Sequence, residues 1–351
     1  MLKGLEIADI MEGVHNCVVN CAGVKRGEHV LIVTDSMSEE RIVIAIASMC
    51  RAQGAEVSTF VMKPRDWPMQ EPPETLAHAM RYADVIFSPV YYSISHTRAS
   101  TIARLEYGTR VINLPTLSMD SLKSEASRFP AAIIAKIYEK VHEIWGRAKK
   151  VHITAENGTD VSGNIVSKFN VGGMPHLPMQ EGEYLAFGGA MGIYGMWPGG
   201  DEGGANGVMY FDAAHMFLGQ LEVPLKYVIK NGKVIEVDGG KEADHFRNIV
   251  ENVPNGDHLA EWMIGLNPKA RVILDEDVSH IEAHRHAGAL HTAIGNSKTL
   301  GGNVYANVHL DNYIIEPTMT FDGTVLVDKG KLLVLDDPEV QDMANEYGVS
   351  W

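Results

Sequence analysis

The chain has 351 residues, of which 45% are hydrophobic and 21% charged, a composition that suits a globular protein of two domains. Its formal net charge of −15 argues against nucleic acid as a partner, because the phosphates would be repelled. No apolar run approaches the roughly 20 residues of a membrane helix, so we expect no membrane association. Cys17, Cys21 and Cys50 lie in apolar surroundings, which predicts reduced thiols and a cytoplasmic protein.

Strands and helices alternate along residues 1–150. Apolar runs rich in Val and Ile predict buried strands at 29–36, 56–62, 84–90 and 109–115. Segments with helical apolar spacing predict helices at 5–22, 38–54, 72–83 and 96–106. This alternation predicts an α/β domain built on a doubly wound parallel sheet, of the flavodoxin or Rossmann kind. The turn TDSMSEE after the first strand lacks the glycine pattern of a phosphate-binding loop, so we expect no nucleotide site.

The second half of the chain has a different character. A long helix predicted at 130–150 joins the first domain to a Gly-rich region, 151–351, of short segments with alternating hydrophobicity. The pair Asn231-Gly232 between two such segments predicts a β-hairpin. One helix is predicted at 241–253, and strands and turns continue to about 335. We therefore expect an α+β domain with an antiparallel sheet, which would carry the metal-binding residues.

Histidines and carboxylates concentrate in this second half. Seven of the fifteen histidines fall between residues 245 and 309. His309 and Asp311 are two residues apart in VHLDN, which places both side chains on one face of a strand. His291 lies in LHTAIGN and Glu261 in HLAEWMIG. Imidazoles and carboxylates together suit Zn, Co, Mn or Fe(II), so these residues are candidate ligands.

Two further stretches are open to more than one interpretation. Asp201 and Glu202 lie among glycines in WPGGDEGGANG, either as an acidic surface turn or as a loop that brings Glu202 to a metal. The stretch HIEAHRH, 280–286, contains three closely spaced histidines, which are often solvated when they occur in a loop. One of its members would still be able to contact a substrate.

Several blocks of the second half follow one another in a specific order. They are WPGGDEGGANG, KNGKVIEVDGGKEA, LAEWMIGLNPKA, LHTAIGN with LGGN, and VHLD. In this order they resemble the thermophilic aminopeptidase T/S family of metallopeptidases, and the resemblance extends over nearly the whole chain. They also resemble 2,5-dihydroxypyridine 5,6-dioxygenase, a ring-opening enzyme that shares that fold. The resemblance implies a metalloenzyme and, as in these relatives, a homodimer.

The peptidase pattern implies five ligands for two metal ions, at Glu202, Glu261, His291, His309 and Asp311. It also implies a catalytic tyrosine seven residues after His291, where this chain has Lys298. A lysine would stabilise an oxyanion by charge and would favour a substrate that carries a carboxylate or phenolate.

The dioxygenase pattern implies two histidines and one aspartate on a single Fe(II). His309 and Asp311 match two of these ligands, whereas Glu261 occupies the position of the other histidine.

The main functional prediction is therefore a metal-dependent hydrolase that acts on an amide or related bond of a small molecule or short peptide, with anionic substrates favoured. Two ions of Zn, Co or Mn would lower the pKa of a shared water, and Asp201 or Glu282 would handle its proton. The alternative is a mononuclear Fe(II) dioxygenase that cleaves a hydroxylated pyridine-type ring. A metal-free binding protein is disfavoured by the set of ligand residues.

Overall fold

A parallel sheet forms the first part of the fold. The computed structural model describes residues 4–95, 97–165, 176–196, 204–214, 219–272, 280–298 and 302–351. The sheet is built from β1 (His29–Asp35), β2 (Glu56–Met62), β3 (Val85–Ser88), β4 (Arg110–Asn113) and a later strand, β7 (Tyr184–Ala186). Its strand order is β2-β1-β3-β4-β7, and all pairs are parallel. The predicted strand–helix alternation therefore produces a parallel sheet.

Helices cover both faces of this sheet. They are α1 (Leu5–His15), which continues as a π-helix over Asn16–Cys21, α2 (Glu40–Ala52), α3 (Glu74–Met80) and α4 (Arg98–Tyr107). Side chains alternate along β1, so that Val30 and Ile32 pack with α1 and α2, whereas Leu31 and Val33 pack with α3 and α4. Because the strand order reverses beside β1, the carboxyl ends of β1 and β3 border a crevice where such folds bind ligands.

Three helices lead out of the parallel sheet, α5 (Met119–Lys123), α6 (Glu125–Arg128) and α7 (Ala131–Ile144). The helix predicted to extend to residue 150 ends earlier, in a 3₁₀ turn over Trp145–Arg147. Val151 and Ile153 alternate with polar residues and are buried, so the chain enters β5 (Lys150–Thr154) instead. In the described part of the chain, no helix is both long and apolar enough to span a membrane.

A twelve-stranded antiparallel sheet dominates the second half. Its further strands are β6 (Asp160–Asn164), β8 (Ile193–Met196), β9 (Asn206–Ala214), β10 (Gly219–Lys230), β11 (Lys233–Asp238), β12 (Leu259–Gly265), β13 (Leu290–Gly295), β14 (His309–Ile314), β15 (Thr318–Phe321), β16 (Thr324–Asp328) and β17 (Lys331–Leu332). The main order is β17-β16-β15-β5-β6-β9-β14-β13-β12-β8, with β10 paired to β9 and β11. The predicted antiparallel sheet is therefore present.

The turn between β10 and β11 is the predicted hairpin. Asn231 and Gly232 both have positive φ, 50° and 73°, as a type I′ turn requires. The helix predicted at 241–253 is α8 (Ala243–Asn252), and two short helices follow, α9 (His280–Ala283) and α10 (Pro338–Glu346).

The domain boundary expected at residue 150 lies at the start of β5. After this point, however, the chain returns once to the parallel sheet. After the β5–β6 hairpin, β7 returns to the parallel sheet and pairs with β4 through Val111–Tyr184 and Asn113–Ala186. Backbone hydrogen bonds from Val111 to Glu183 and from Phe187 to Asn113 hold it there. This return links the parallel sheet directly to the segment that precedes β8 of the antiparallel sheet.

The three cysteines are buried, and none forms a disulfide. Burial raises the pKa of the Cys17 and Cys21 thiols well above their usual range, and that of Cys50 to about 12. They are therefore protonated thiols that pack in the core beneath the parallel sheet, as expected for apolar surroundings.

Candidate metal centre

Three neighbouring strands of the antiparallel sheet bring the predicted ligands together. Glu261 on β12 lies opposite Ala293 on β13, and Ala293 lies opposite Asp311 on β14. His291 precedes Ala293 by two residues and His309 precedes Asp311 by two, so all four polar side chains share one face. The register of β12 shifts immediately before Glu261, and such an irregularity re-aims the side chain that follows it.

Small residues occupy the middle of this face. Ala293 separates the two carboxylates, and Gly295 lies opposite His309. Adding a Cβ to Gly295 would bring it within 2.3 Å of the Val308 carbonyl oxygen. Because Ala293 and Gly295 have small side chains, the space above the central strand β13 is available to the side chains of the ligands.

The donor atoms are close together but too far apart for good hydrogen bonds. His309 Nε2 lies 3.5 Å from Glu261 Oε1 and 3.4 Å from Asp311 Oδ1, and His291 Nε2 lies 3.3 Å from Glu261 Oε1. Charge-assisted N–H···O bonds are about 2.7–2.9 Å long. Donors bound at about 2.1 Å to a single ion lie about 3.0–3.4 Å apart. Among the described residues, Glu261, His309 and Asp311 offer ligand atoms that are all within 4.8 Å of one another.

Two buried atoms at the site have no hydrogen-bond partner among the described residues. They are Glu261 Oε2 and His291 Nδ1, and both side chains are only 3% exposed. A buried carboxylate oxygen without a partner costs free energy unless a cation balances it. These residues therefore fit a divalent metal, whose charge would satisfy the carboxylate.

The ring of His309 is oriented for metal ligation. Its Nδ1 lies 2.7 Å from the carbonyl oxygen of Asn296, which can only accept, so Nδ1 carries the proton. In the neutral ring, Nε2 then presents a lone pair towards Glu261 and Asp311. This is the arrangement in which a backbone carbonyl fixes the tautomer of a metal-binding histidine.

The electrostatics of the cluster favour a cation between the carboxylates. Burial acts to raise the pKa of Glu261, but the charge of His309 and the proximity of the His291 and His309 imidazoles outweigh it and lower the pKa to about 2. Burial likewise acts to lower the pKa of His309, yet attraction by Glu261 and Asp311 raises it well above its usual range. Without a metal, a proton thus occupies the position of the ion, and metal binding would release it.

Four predicted site residues remain to be located. Asp201 and Glu202 fall outside the described residues. Glu282 is fully buried, and its carboxylate accepts hydrogen bonds from Arg271 (2.8 and 2.9 Å) and from the Ser121 hydroxyl (3.0 Å). Lys298 has an exposed side chain, and its backbone N–H donates to Asn296. In this arrangement, Glu282 anchors α9 and Lys298 faces solvent.

Three residues that sequence reasoning did not single out lie beside the cluster. Tyr313 follows Asp311 by two residues on β14, so the alternation that identified His309 and Asp311 also indicates Tyr313. Its hydroxyl hydrogen bonds His284 Nε2, which lies 3.8 Å from Asp311 Oδ2. The His284 ring stacks on His291 with centroids 4.3 Å apart. His284 and Arg285 come from the stretch 280–286, where solvated histidines were expected; both are buried, and the residues that follow them, His286 and Ala287, form bridges with Asn267 and Gly265 at the end of β12.

A family model over most of the chain identifies its relatives. The model of 2,5-dihydroxypyridine 5,6-dioxygenase (NicX) matches residues 11–334. The chain belongs to this family. A search of curated proteins returned no significant match.

Two solved structures share the fold over nearly the full length of both chains. The 2,5-dihydroxypyridine dioxygenase of Pseudomonas putida KT2440 is 17% identical, with 97% of this chain and 99% of that chain covered and a TM-score of 0.78. AmpT from Thermus thermophilus is 14% identical, with 93% and 99% covered and a TM-score of 0.69. The predicted shared family is confirmed, together with a mixed fold of one parallel and one antiparallel sheet. Peptidase activity is not confirmed, and the family model favours the dioxygenase.

The ligand assignment predicts that His309→Ala and Asp311→Ala each lose divalent metal. Since even hydrogen-bond partners of metal ligands contribute about 10–100-fold to affinity, we expect metal binding to weaken by more than about 100-fold. Metal content after equilibrium dialysis measures the effect, and far-UV circular dichroism checks the fold. His152→Ala is the matched control, because His152 also faces a carboxylate, Asp160 at 2.9 Å, but on an exposed part of the same sheet. Full metal occupancy in both site variants would remove the pair from the centre.

The position of Ala293 between the carboxylates predicts that a large side chain there displaces the ion. Ala293→Leu should fold with a stability loss of about 1–3 kcal/mol from overpacking and should bind no metal. Ala293→Gly keeps the space open and should retain the ion. Metal content and thermal unfolding of the two variants test this, and equal metal content would show that Ala293 does not border the site.

Proposed function

We propose that this protein is a mononuclear non-haem iron(II) enzyme that opens a hydroxylated N-heteroaromatic ring with O2. The observation that carries the proposal is the dioxygenase family match over residues 11–334, together with the cluster of imidazole and carboxylate donors that the described residues form on β12–β14. A cluster of histidine and carboxylate ligands on one side of an ion is typical of Fe(II) oxygenases.

The chain's own residues would hold the ion from one side. Glu261, His309 and Asp311 are the three closest donors, and His291 is a fourth, beside Glu261. The side chain of Asp311 is 18% exposed, against 3% for Glu261 and 8% for His309, so the open side of the cluster lies towards Asp311. Fe(II) bound there would supply open coordination positions and the one-electron chemistry that O2 requires to react with a ring.

The hydrogen-bonded pair of Tyr313 and His284 is placed to handle a proton. A ring hydroxyl of the substrate would bind at the open side of the cluster. Its oxygen is a better metal ligand once it has lost its proton, so a group beside the cluster must accept that proton. Burial, and then the charge of Asp311, raise the pKa of Tyr313 well above its ordinary value, so this side chain stays a neutral hydroxyl. We infer that His284, between Tyr313 and Asp311, accepts the substrate proton and that Tyr313 orients the imidazole.

The hydrolase remains the second candidate because the cluster offers a fourth donor. His291 Nε2 lies 3.3 Å from Glu261 Oε1, and Glu261 Oε2 has no partner, so Glu261 has an oxygen to offer to a second ion. Two ions would activate a shared water for attack on an amide. In that mechanism the reaction would not depend on O2, which separates the two proposals experimentally.

Oxygen dependence tests the proposed function directly. Protein reconstituted anaerobically with Fe(II) should leave the ultraviolet absorbance of 2,5-dihydroxypyridine unchanged until air is admitted. It should then remove that absorbance while consuming one O2 per ring, and the product should contain two ¹⁸O atoms from ¹⁸O2. His309→Ala protein treated with Fe(II) in the same way is the matched control and should be inactive. Turnover under argon, or release of p-nitroaniline from leucyl-p-nitroanilide by Zn- or Co-loaded protein, would favour the hydrolase.

A further inference from the structure

A buried arginine connects the metal cluster to the carboxyl edge of the parallel sheet. Arg285 is 2% exposed, and its guanidinium Nη2 donates to the carbonyl oxygen of Ala186, the last residue of β7, at 2.7 Å. Its charge interacts with Tyr184, with Tyr313 and with the carboxylates of Asp311 and Glu261. Arg285 therefore lies between the antiparallel sheet, which carries the ligands, and the crevice end of the parallel sheet.

The charge of Arg285 is not neutralised by an ion pair. Within the described residues, no carboxylate oxygen lies within 4.0 Å of its guanidinium, and its Nε has no hydrogen-bond acceptor. Burial lowers the pKa of Arg285 to about 10, which still leaves the group charged at neutral pH. A buried cation without a close counter-ion is strongly destabilising, so a residue of this kind indicates an anion that binds beside it.

Counting the charges around the cluster gives the charge that this anion should carry. A divalent ion is neutralised by the carboxylates of Glu261 and Asp311 once His309 binds it as a neutral ring. The buried Glu282 is balanced by Arg271 at 2.8 Å. Burial raises the pKa of Tyr184, which remains neutral. Before a substrate proton passes to His284, one positive charge remains, on Arg285, and a monoanion would cancel it.

Neutral hydrogen-bonding groups continue from Arg285 along the edge of the parallel sheet. The Tyr184 hydroxyl donates to Ser95 Oγ at 2.6 Å, and Ser95 Oγ lies 2.8 Å from Ser93 Oγ. Asn113 Nδ2 donates to Ser93 Oγ at 3.1 Å. These groups are polar and uncharged, whereas the buried carboxylate of Asp35 at the end of β1 accepts hydrogen bonds from the backbone N–H groups of Met37 and Tyr91. Arg104 is a second cation near Tyr184, 5.2 Å from the centroid of its ring, but it is the charge of Arg285 that interacts with Asp311 and Glu261.

We propose that Arg285 is the anion-binding residue of the site and that the substrate binds as a monoanion, with one anionic oxygen paired to the guanidinium. The anionic oxygen belongs to an ionised ring hydroxyl or to a ring carboxylate. The proposal rests on the proposed function, because it assumes that an aromatic ring binds beside the metal. It assigns to a buried residue the role in anion binding that the sequence had suggested for Lys298, whose side chain is exposed.

Two pairs of probes separate the charge of the ligand from its shape. The first pair is 5-hydroxypyridine-2-carboxylate and its neutral carboxamide. The second pair is 2-hydroxy-5-nitropyridine at a pH at which it is ionised and its neutral methyl ether. Each is titrated by calorimetry into Fe(II)-loaded protein without O2, so that no turnover occurs. A preference for the anion in the first pair identifies a carboxylate as the source of the charge, and a preference in the second identifies a ring hydroxyl.

Wild-type protein should bind the anion of at least one pair more than about 10-fold more tightly than its neutral partner. Arg285→Met should weaken anion binding by about 10–100-fold, the effect of a hydrogen bond to a charged group, and should leave the neutral probe and the iron content unchanged. Arg285→Lys should keep part of the preference, since it keeps the charge but loses the planar fork. The matched control is Arg110→Met, because Arg110 is also buried but pairs with Glu28 at the opposite edge of the sheet; it should keep the full preference.

Several outcomes would overturn the proposal. Equal binding of anion and neutral partner by the wild-type protein, in both pairs, would contradict it without any variant. Loss of iron from Arg285→Met would instead assign Arg285 to neutralising the ligands. If Arg285→Met does not fold, Arg285→Lys and the wild-type preference decide, and an unchanged preference in Arg285→Lys would contradict the role of the planar guanidinium. Wild-type protein that binds no iron would contradict the proposed function itself, whereas iron-loaded protein without a charge preference contradicts only the role of Arg285.

Discussion

The site depends on one constraint, which is that a buried carboxylate, Glu261, and a partly exposed one, Asp311, face each other across three strands and require a cation between them. Ligand atoms of Glu261, Asp311 and His309 lie within 4.8 Å of one another, and Asp311 has the most exposed side chain of the three. Taking such charges out of water costs several kcal/mol per group unless opposite charge compensates it. A proton on His309 provides that compensation in the absence of metal, and a divalent ion provides it more completely.

The rest of the fold makes this arrangement possible. Antiparallel pairing sets Glu261, Ala293 and Asp311 in one row, and the small side chain at the centre leaves room for an ion. The carbonyl oxygen of Asn296 fixes the ring of His309. On the other side, β7 returns to the parallel sheet, and its last carbonyl holds Arg285 beside the cluster. The two sheets thus make different contributions: the antiparallel sheet carries the metal ligands, and the parallel sheet supplies the carbonyl oxygen that holds Arg285.

The sequence predicted those features that depend on local periodicity. Alternation along VHLDN was sufficient to pair His309 with Asp311, and it would equally have indicated Tyr313 had it been followed two residues further. Glu261 and His291 were candidate ligands by residue type, but only the resemblance to known families placed them in one site with His309 and Asp311, since their proximity depends on the register of strands separated by long loops. The burial of His284 and Arg285 was not predictable from a stretch of closely spaced polar residues, because it depends on partners far along the chain, the Tyr313 hydroxyl for His284 and the Ala186 carbonyl oxygen for Arg285. The return of β7 was missed for a similar reason, since a strand of three residues gives no periodic signal.

Anomalous diffraction from crystals of the Fe(II)-loaded protein, grown without O2, tests the central claim most directly. We predict one iron peak, about 2.1 Å from Nε2 of His309 and in contact with carboxylate oxygens of both Glu261 and Asp311. Two peaks about 3.5–4 Å apart would contradict a mononuclear centre and would favour the hydrolase. A peak away from these three residues would contradict the account of the buried carboxylates altogether.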